Sequence, residues 1–215
     1  MVAVITGDLV RYGQAMRSIA NLHAPASSCE FWKMAGNVAN SINEAFTATL
    51  ADPKYEWCWL MGDDHTFPHD VLLNLLNRDV DVVAAMCLNR FPPFDPVILK
   101  DGKIKPLEDL PGEGLYELQD GETCGDAGLL IRRHVLEAIE PPWYERLRFG
   151  SLGVDDQVFV DRVKRAGFKI HTDLDNRLGH MTPFTLLPIR KGDKWEVRLI
   201  CGGKLAADLI PKRVQ

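Results

Sequence analysis

Trp57-Cys58-Trp59-Leu60-Met61-Gly62-Asp63-Asp64-His65-Thr66-Phe67-Pro68 is the stretch on which the reading of this chain turns. An apolar run ends abruptly in two carboxylates and an imidazole. Such a run, rich in aromatics and bounded by Gly, predicts a buried strand reaching Asp64. Strands buried on both faces belong to parallel sheets covered by helices. Ligands in those sheets bind just outside the carboxyl ends of the strands, which is where Asp63, Asp64 and His65 fall. Desolvating unpaired carboxylates is costly, so packing does not account for adjacent acids there. A hard divalent cation would relieve the cost, because Asp oxygens are its natural ligands. In a regular strand Asp63 and His65 share a face and Asp64 points away. Strand ends are rarely regular, so all three stay as candidate ligands.

Working outward, the pattern alternates strand and helix. Val2 to Thr6 is a short apolar strand closed by Gly7-Asp8, and residues 9–22 form a helix of irregular periodicity. Glu30 to Met34 is a second strand, ending at Ala35-Gly36-Asn37. Val38, Ile42, Ala45, Phe46 and Leu50 recur at three- and four-residue steps and predict an amphipathic helix over 38–50. Pro68-His69-Asp70 opens the next helix, and Asp81 to Leu88 is another buried strand. Alternation of this kind predicts an α/β domain with a mostly parallel sheet. Residues 89–123, punctuated by Pro and Gly, read as an excursion on the same domain. Leu129-Leu130-Ile131 restores the strand pattern, followed by a helix from Val135 to Ile139 and a long loop over 140–153. Asp155-Asp156 opens a further helix closed at Gly167, a good C-cap. A strand from Phe168 to Thr172 follows, then Gly179-His180, then a hairpin over 184–201 turning at Gly192-Asp193.

Composition narrows the functional classes. The 215 residues suit one domain, and 46% hydrophobic content supports a full core rather than disorder. A net charge of −5 argues against a nucleic-acid surface, which needs a basic excess. No apolar run reaches membrane-spanning length, and the first residues lack the basic and long apolar regions of a secretory signal. Five cysteines, Cys29, Cys58, Cys87, Cys124 and Cys201, are widely spaced with no CxxC. Cys58 and Cys87 sit in apolar runs, where thiols act as small hydrophobes. A reduced, cytoplasmic setting is expected.

Gly-Asp-Asp-His-Thr-Phe-Pro after an apolar strand resembles the DxD region of GT-A-fold glycosyltransferases, most of all the small family-two-like type of phage and bacteria. In that family, acids at a central strand end hold a divalent metal on the diphosphate of a sugar nucleotide. Aligned by Pro68 and Asp70, the last family acid falls on Asp64 and the first on Gly62. Either Asp63 takes over the missing role, or the working pair is Asp63 and His65. Three further places carry the resemblance. Gly125 to Arg133 resembles the glycine-rich strand start near the donor sugar, with Asp126 as the contact. Gly153-Val154-Asp155-Asp156-Gln157-Val158-Phe159 resembles the acid-Asp-x-x-Phe motif at a helix start, whose second carboxylate, Asp156, is the base in inverting members. Asp residues also cap helices, but a pair exceeds what one cap needs. Gly179-His180 resembles the Gly-His after the closing strand, whose His completes the metal shell.

The resemblance implies a GT-A, Rossmann-like fold spanning one domain over 1–215. Residues 1–88 would be the nucleotide-binding half, 89–183 the acceptor and catalytic half, and 184–215 a hairpin and tail. It implies an inverting transfer of a sugar from a UDP- or GDP-sugar to an acceptor hydroxyl, with Mn²⁺ or Mg²⁺ as cofactor. Asp63, Asp64, His65 and His180 are the expected metal ligands, and Asp155 and Asp156 the catalytic acids. Thr6, Asp8, Asn37, Asp63 and Asp126 are expected at the sugar nucleotide. Trp143 and Tyr144 are expected at the acceptor, because sugars stack on aromatic faces. Two other classes stay open: a metal-dependent nucleotidyltransferase or hydrolase, for which no GxxxxGK[ST] loop is found, and an inactive sugar-nucleotide- or glycan-binding module, which Gly62 favours.

Overall fold

The computed structural model describes residues 1–6, 13–34, 37–92, 94–145, 155–192, 194–201 and 203–209. Strand and helix alternate first: β1 (Val2–Thr6), α1 (Gly13–Ala20), β2 (Glu30–Met34), α2 (Val38–Ala51), β3 (Trp57–Gly62), the short β4 (His65–Thr66), α3 (Val71–Asn77) and β5 (Val82–Cys87). Short strands make the excursion: β6 (Ile98–Lys100), β7 (Lys103–Ile104), β8 (Leu115–Glu117) and β9 (Glu122–Cys124). Then come β10 (Leu129–Arg132), α4 (Arg133–Glu137), α5 (Asp155–Arg165) and β11 (His171–His180). Finally β12 (Phe184–Lys191), β13 (Lys194–Cys201) and β14 (Lys204–Leu209) form a separate antiparallel sheet.

The central sheet has the order β2-β1-β3-β10-β5-β11-β4, with β8 also on β11. β2, β1, β3, β5 and β11 run one way, and β10, β4 and β8 run against them. The class is therefore the expected one, α/β with a mainly parallel sheet flanked by helices and an antiparallel hairpin after it. Alternate residues of each strand feed two cores. Ala3, Ile5, Leu60 and Ala84 pack with Ile42 and Phe46 of α2, Val135 of α4 and Phe159 of α5. Val2, Val4, Met61 and Val83 pack with Ile19 of α1 and Val71 and Leu75 of α3. Both faces are dry, which is why these strands are apolar throughout.

Several boundaries differ from expectation: α1 ends at Ala20, short of residue 22, and α4 spans Arg133–Glu137 where Val135 to Ile139 is expected. β3 ends at Gly62, and Asp63-Asp64 form a turn rather than strand. β11 begins at His171, not Phe168, and runs on through Gly179-His180. Gly167 adopts φ +89° and the Phe168 N–H returns to the Val163 carbonyl at 3.2 Å, so Phe168 closes α5 instead of starting a strand. The hairpin pairs Lys191 with Lys194 as its expected turn requires, and β14 adds a third strand from the stretch read as tail.

Candidate functional site

β1, β3 and β5 end at one edge of the sheet, and the Gly125–Gly128 turn into antiparallel β10 lies at the same edge. A cavity of about 350 Å³ opens there, lined by Asp63, Asp64, His65, Cys87, Arg90, Asp126 and His180 among others. Gly128, at φ +68°, lets this turn press onto the sheet: a Cβ there would stand 2.9 Å from Leu178 and 3.0 Å from Ala85.

His180 reaches the cavity through two features of β11. Between Asp173 and Arg177 it advances four residues while β5 advances one, from Ala85 to Met86. This bulge draws the strand's end back toward the cavity. At that end β11 pairs with β4, with His180 opposite His65. Their rings stack with centroids 4.3 Å apart. Gly179 permits the close approach, since a Cβ there would lie 2.5 Å from Thr66 Oγ1.

Asp64 bridges one ring nitrogen of each imidazole. His65 Nδ1 is 2.8 Å from Oδ1, His180 Nε2 is 3.3 Å from Oδ2, and Arg90 pairs with Oδ2. The backbone fixes the His180 tautomer: Nδ1 donates to the Leu88 carbonyl at 2.9 Å, so Nε2 is the nitrogen turned inward. His65 is 5% exposed, and its Nε2 has no hydrogen-bond partner. Cys87 Sγ and a ligand nitrogen of each histidine lie within 4.8 Å of one another.

These neighbours bias protonation in one direction. Burial pushes Asp64 up, but hydrogen bonding to His180 and His65 and the charge of Arg90 outweigh it and hold the carboxyl well below the usual carboxylate range. Burial lowers His180, yet Asp64, Cys87 and the Leu88 carbonyl push it up to about 10. His65 is raised against its burial by Asp64 and Cys87. Burial raises the Cys87 thiol, and the two imidazoles more than reverse this, bringing it down to about 7.

Gly62 also has a structural reason. A Cβ there would lie 2.9 Å from Asp64 Oδ1 and 3.1 Å from His65 Nδ1. The space above Gly62 is filled by the side chains of Asp64 and His65, which fold back over it.

Of the expected metal ligands, Asp64, His65 and His180 come together, and Asp63 is buried in the turn and lines the same cavity. Asp126 lines it too. Thr6 closes β1 at this edge, but its side chain and all of Asp8 lie outside the described residues. Asn37 is the N-cap of α2, accepting from the Asn40 N–H at 3.3 Å. Asp155 begins α5, while the side chains of Asp155 and Asp156 fall outside the described residues. Trp143 and Tyr144 require a correction. They are 4% and 1% exposed and pack on Phe46 and Phe159, and the Trp143 indole donates to the Leu136 carbonyl at 3.0 Å. Their rings are core, so neither presents a face on which a sugar could stack.

Sequence reasoning missed Cys87 and Arg90. By sequence Cys87 reads as a small hydrophobe because it ends an apolar run. Yet the end of a buried parallel strand is the position that singled out Asp63, and the same rule applied to β5 points to Cys87. Arg90 carries no pattern of its own, and only the fold brings it to Asp64.

No protein-family model matches the chain, and no curated protein matches it. Among solved structures, the crystal structure of A197 from STIV matches over 100% of this chain and 98% of that one, at 15% identity and a TM-score of 0.58. This chain therefore has the α/β fold of A197. A candidate nucleotide-diphospho-sugar transferase from Desulfovibrio desulfuricans G20 matches 80% of this chain and 78% of that one, at 10% identity and a TM-score of 0.41, too loose to bear on the fold. Among the described residues, no helix is long and apolar enough to cross a membrane.

Proposed function

We propose that this chain is a GT-A-type glycosyltransferase. It moves a sugar from a nucleoside diphosphate sugar, a UDP- or GDP-sugar, to an acceptor hydroxyl with inversion at the anomeric carbon. The single observation that supports this most is the cavity at the carboxyl ends of β1, β3 and β5, where Asp63, Asp64, His65, Asp126, Arg90 and His180 gather. That is where an open, mainly parallel sheet receives a nucleotide.

The donor set fits a divalent cation. Asp64, His65 and His180 would hold it, with Asp63 in the adjoining turn. Of the two ions expected, Mn²⁺ accepts imidazole, whereas Mg²⁺ prefers oxygen throughout. When bound, the ion supplies positive charge to offset what builds on the departing diphosphate. The chain's own residues do the remaining work. Arg90, already paired with Asp64 at the cavity wall, offers the diphosphate a second cation. Asp126 accepts hydroxyls of the donor sugar at the β10 turn. Asp156, at the start of α5, takes the acceptor proton as its oxygen attacks opposite the diphosphate. Burial of Asp63 and His65 limits water at the reacting centre.

Incubation with a panel of sugar nucleotides and Mn²⁺ tests the proposal. The expected result is slow donor hydrolysis that stops in excess chelator. Pyrophosphate release would move the protein to the nucleotidyltransferases, and binding without turnover would make it a binding module.

A further inference from the structure

We propose that His65, Cys87 and His180 form a three-ligand site for one thiophilic divalent ion, Zn²⁺, open on its fourth side to the cavity. The inference concerns the same two histidines that the transferase reading gives to its divalent cation, and replaces Mn²⁺ there by naming Cys87 as the third ligand and Zn²⁺ as the ion. β4, β5 and β11 each contribute one ligand. The three ligand atoms already lie within 4.8 Å of one another. Around Zn²⁺, with bonds of about 2.0–2.3 Å, tetrahedral donors stand roughly 3.3–3.8 Å apart. Small side-chain rotations close that gap.

His65 is the second, independent indication. More than nine-tenths buried, it has the Asp64 carboxylate 2.8 Å from Nδ1 and no hydrogen-bond partner at Nε2. A buried imidazole left so is costly unless something binds it. His180 is held by the Leu88 carbonyl at Nδ1, the outer contact that orients metal-bound imidazoles, and Nε2 faces inward. Gly179 and Gly62 both make room for this arrangement, since a Cβ on either would meet Thr66 or Asp64 and His65.

Thiolate and imidazole together select a borderline-soft ion. Mg²⁺ prefers an oxygen shell, and Mn²⁺ lies low in the affinity order for nitrogen and sulfur donors. Three protein ligands leave a coordination position free, the arrangement of sites that also bind water or substrate. Asp64, 3.3 Å from His180 Nε2 and paired with Arg90, stands beside that position. It can turn its carboxylate to the ion or to a bound molecule.

The test is metal binding by the chelator-stripped full chain. One Zn²⁺ per chain is expected, held at least about 100-fold more tightly than Mn²⁺. Co²⁺ substitution should give a tetrahedral visible spectrum with a thiolate charge-transfer band in the near ultraviolet. Cys87→Ser should remove that band and weaken Zn²⁺ binding by about 100-fold or more. Cys29→Ser, which changes the exposed thiol, should leave both unaltered. A wild-type Co²⁺ complex without the thiolate band overturns the proposal even if Cys87→Ser fails to fold. A preference for Mn²⁺ or Mg²⁺ over Zn²⁺ overturns it while leaving the transferase reading intact. A thiolate-bound ion in a protein that hydrolyses no sugar nucleotide upholds the site and sinks the transferase instead.

Discussion

The two ends of β11 carry buried polar groups with opposite characters. Near its start, Asp173 is fully buried and saturated. The Arg78 guanidinium grips it at 2.7 and 2.8 Å, Asn176 donates at 2.5 Å and the Asp175 N–H at 3.1 Å. At the other end His180 faces Asp64, His65 and Cys87, where His65 Nε2 has no hydrogen-bond partner and a thiol lies close to two stacked imidazoles. A saturated network holds shape, and an unsaturated one waits for something to bind. Asp173 anchors the bulge that sets where His180 falls, so the first end positions the second.

Substitution at the two ends should separate activity from stability. The largest effect belongs to Asp64→Ala, which should lower metal-dependent donor turnover by about 10³-fold or more while the protein still folds. Donor hydrolysis on the purified variant measures it. Asp63→Ala should fall nearly as far if the turn acid replaces the one absent at Gly62, and unchanged rate and metal affinity would make Asp63 structural.

Asp156→Asn should cost about 10²–10⁴-fold in transfer, with donor and metal binding kept. Asp155→Asn should instead cost about 1 kcal/mol of stability if that residue is the cap. A product retaining its anomeric configuration, read by NMR, would defeat the base assignment.

Asp173→Ala should behave the other way round. Leaving the Arg78 guanidinium without its buried acceptor should cost about 3 kcal/mol, a fall in Tm on the order of 10 °C. If instead turnover collapses with Tm unchanged, the division between the two ends of β11 is wrong.

Gly62→Ala is milder. Its Cβ would crowd Asp64 Oδ1 and His65 Nδ1, so metal affinity should drop by about 10-fold, and Gly62→Asp should weaken it further rather than restore a family ligand. Calorimetric titration with Zn²⁺ and Mn²⁺ decides; tighter binding by Gly62→Asp would show that the turn can reopen.

The smallest effect concerns pH in chelator-treated protein. His180, raised to about 10, stabilises the fold fully below about pH 6.5 and loses that contribution as pH rises through about 10. Asp64, held low, contributes above about pH 4 and loses its share as pH falls. The wild-type Tm should therefore decline above neutrality more than that of His180→Gln. Parallel profiles would remove the pair from the stability of the fold.

Periodicity and strand-end logic were enough to place the α/β class, β1, β2, α2, the apolar body of β3, the span of the C-terminal hairpin and the grouping of Asp63, Asp64 and His65 at a sheet edge. They succeed because burial on both faces leaves a continuous apolar record, and chain reversal leaves Gly and Asp. They did not show that Gly62 makes room for its neighbours, that Trp143 and Tyr144 are core, or that Cys87 and Arg90 join the site. An aromatic in a Pro-rich loop reads the same whether it anchors the loop or greets a ligand, and tertiary packing against Phe46 and Phe159 decided it. Cys87 and His180 are far apart in the chain and carry no shared spacing. Only a bulge in β11 and the close approach at Gly179 bring a thiol and two imidazoles within 4.8 Å, because strand register is set between strands, not along one.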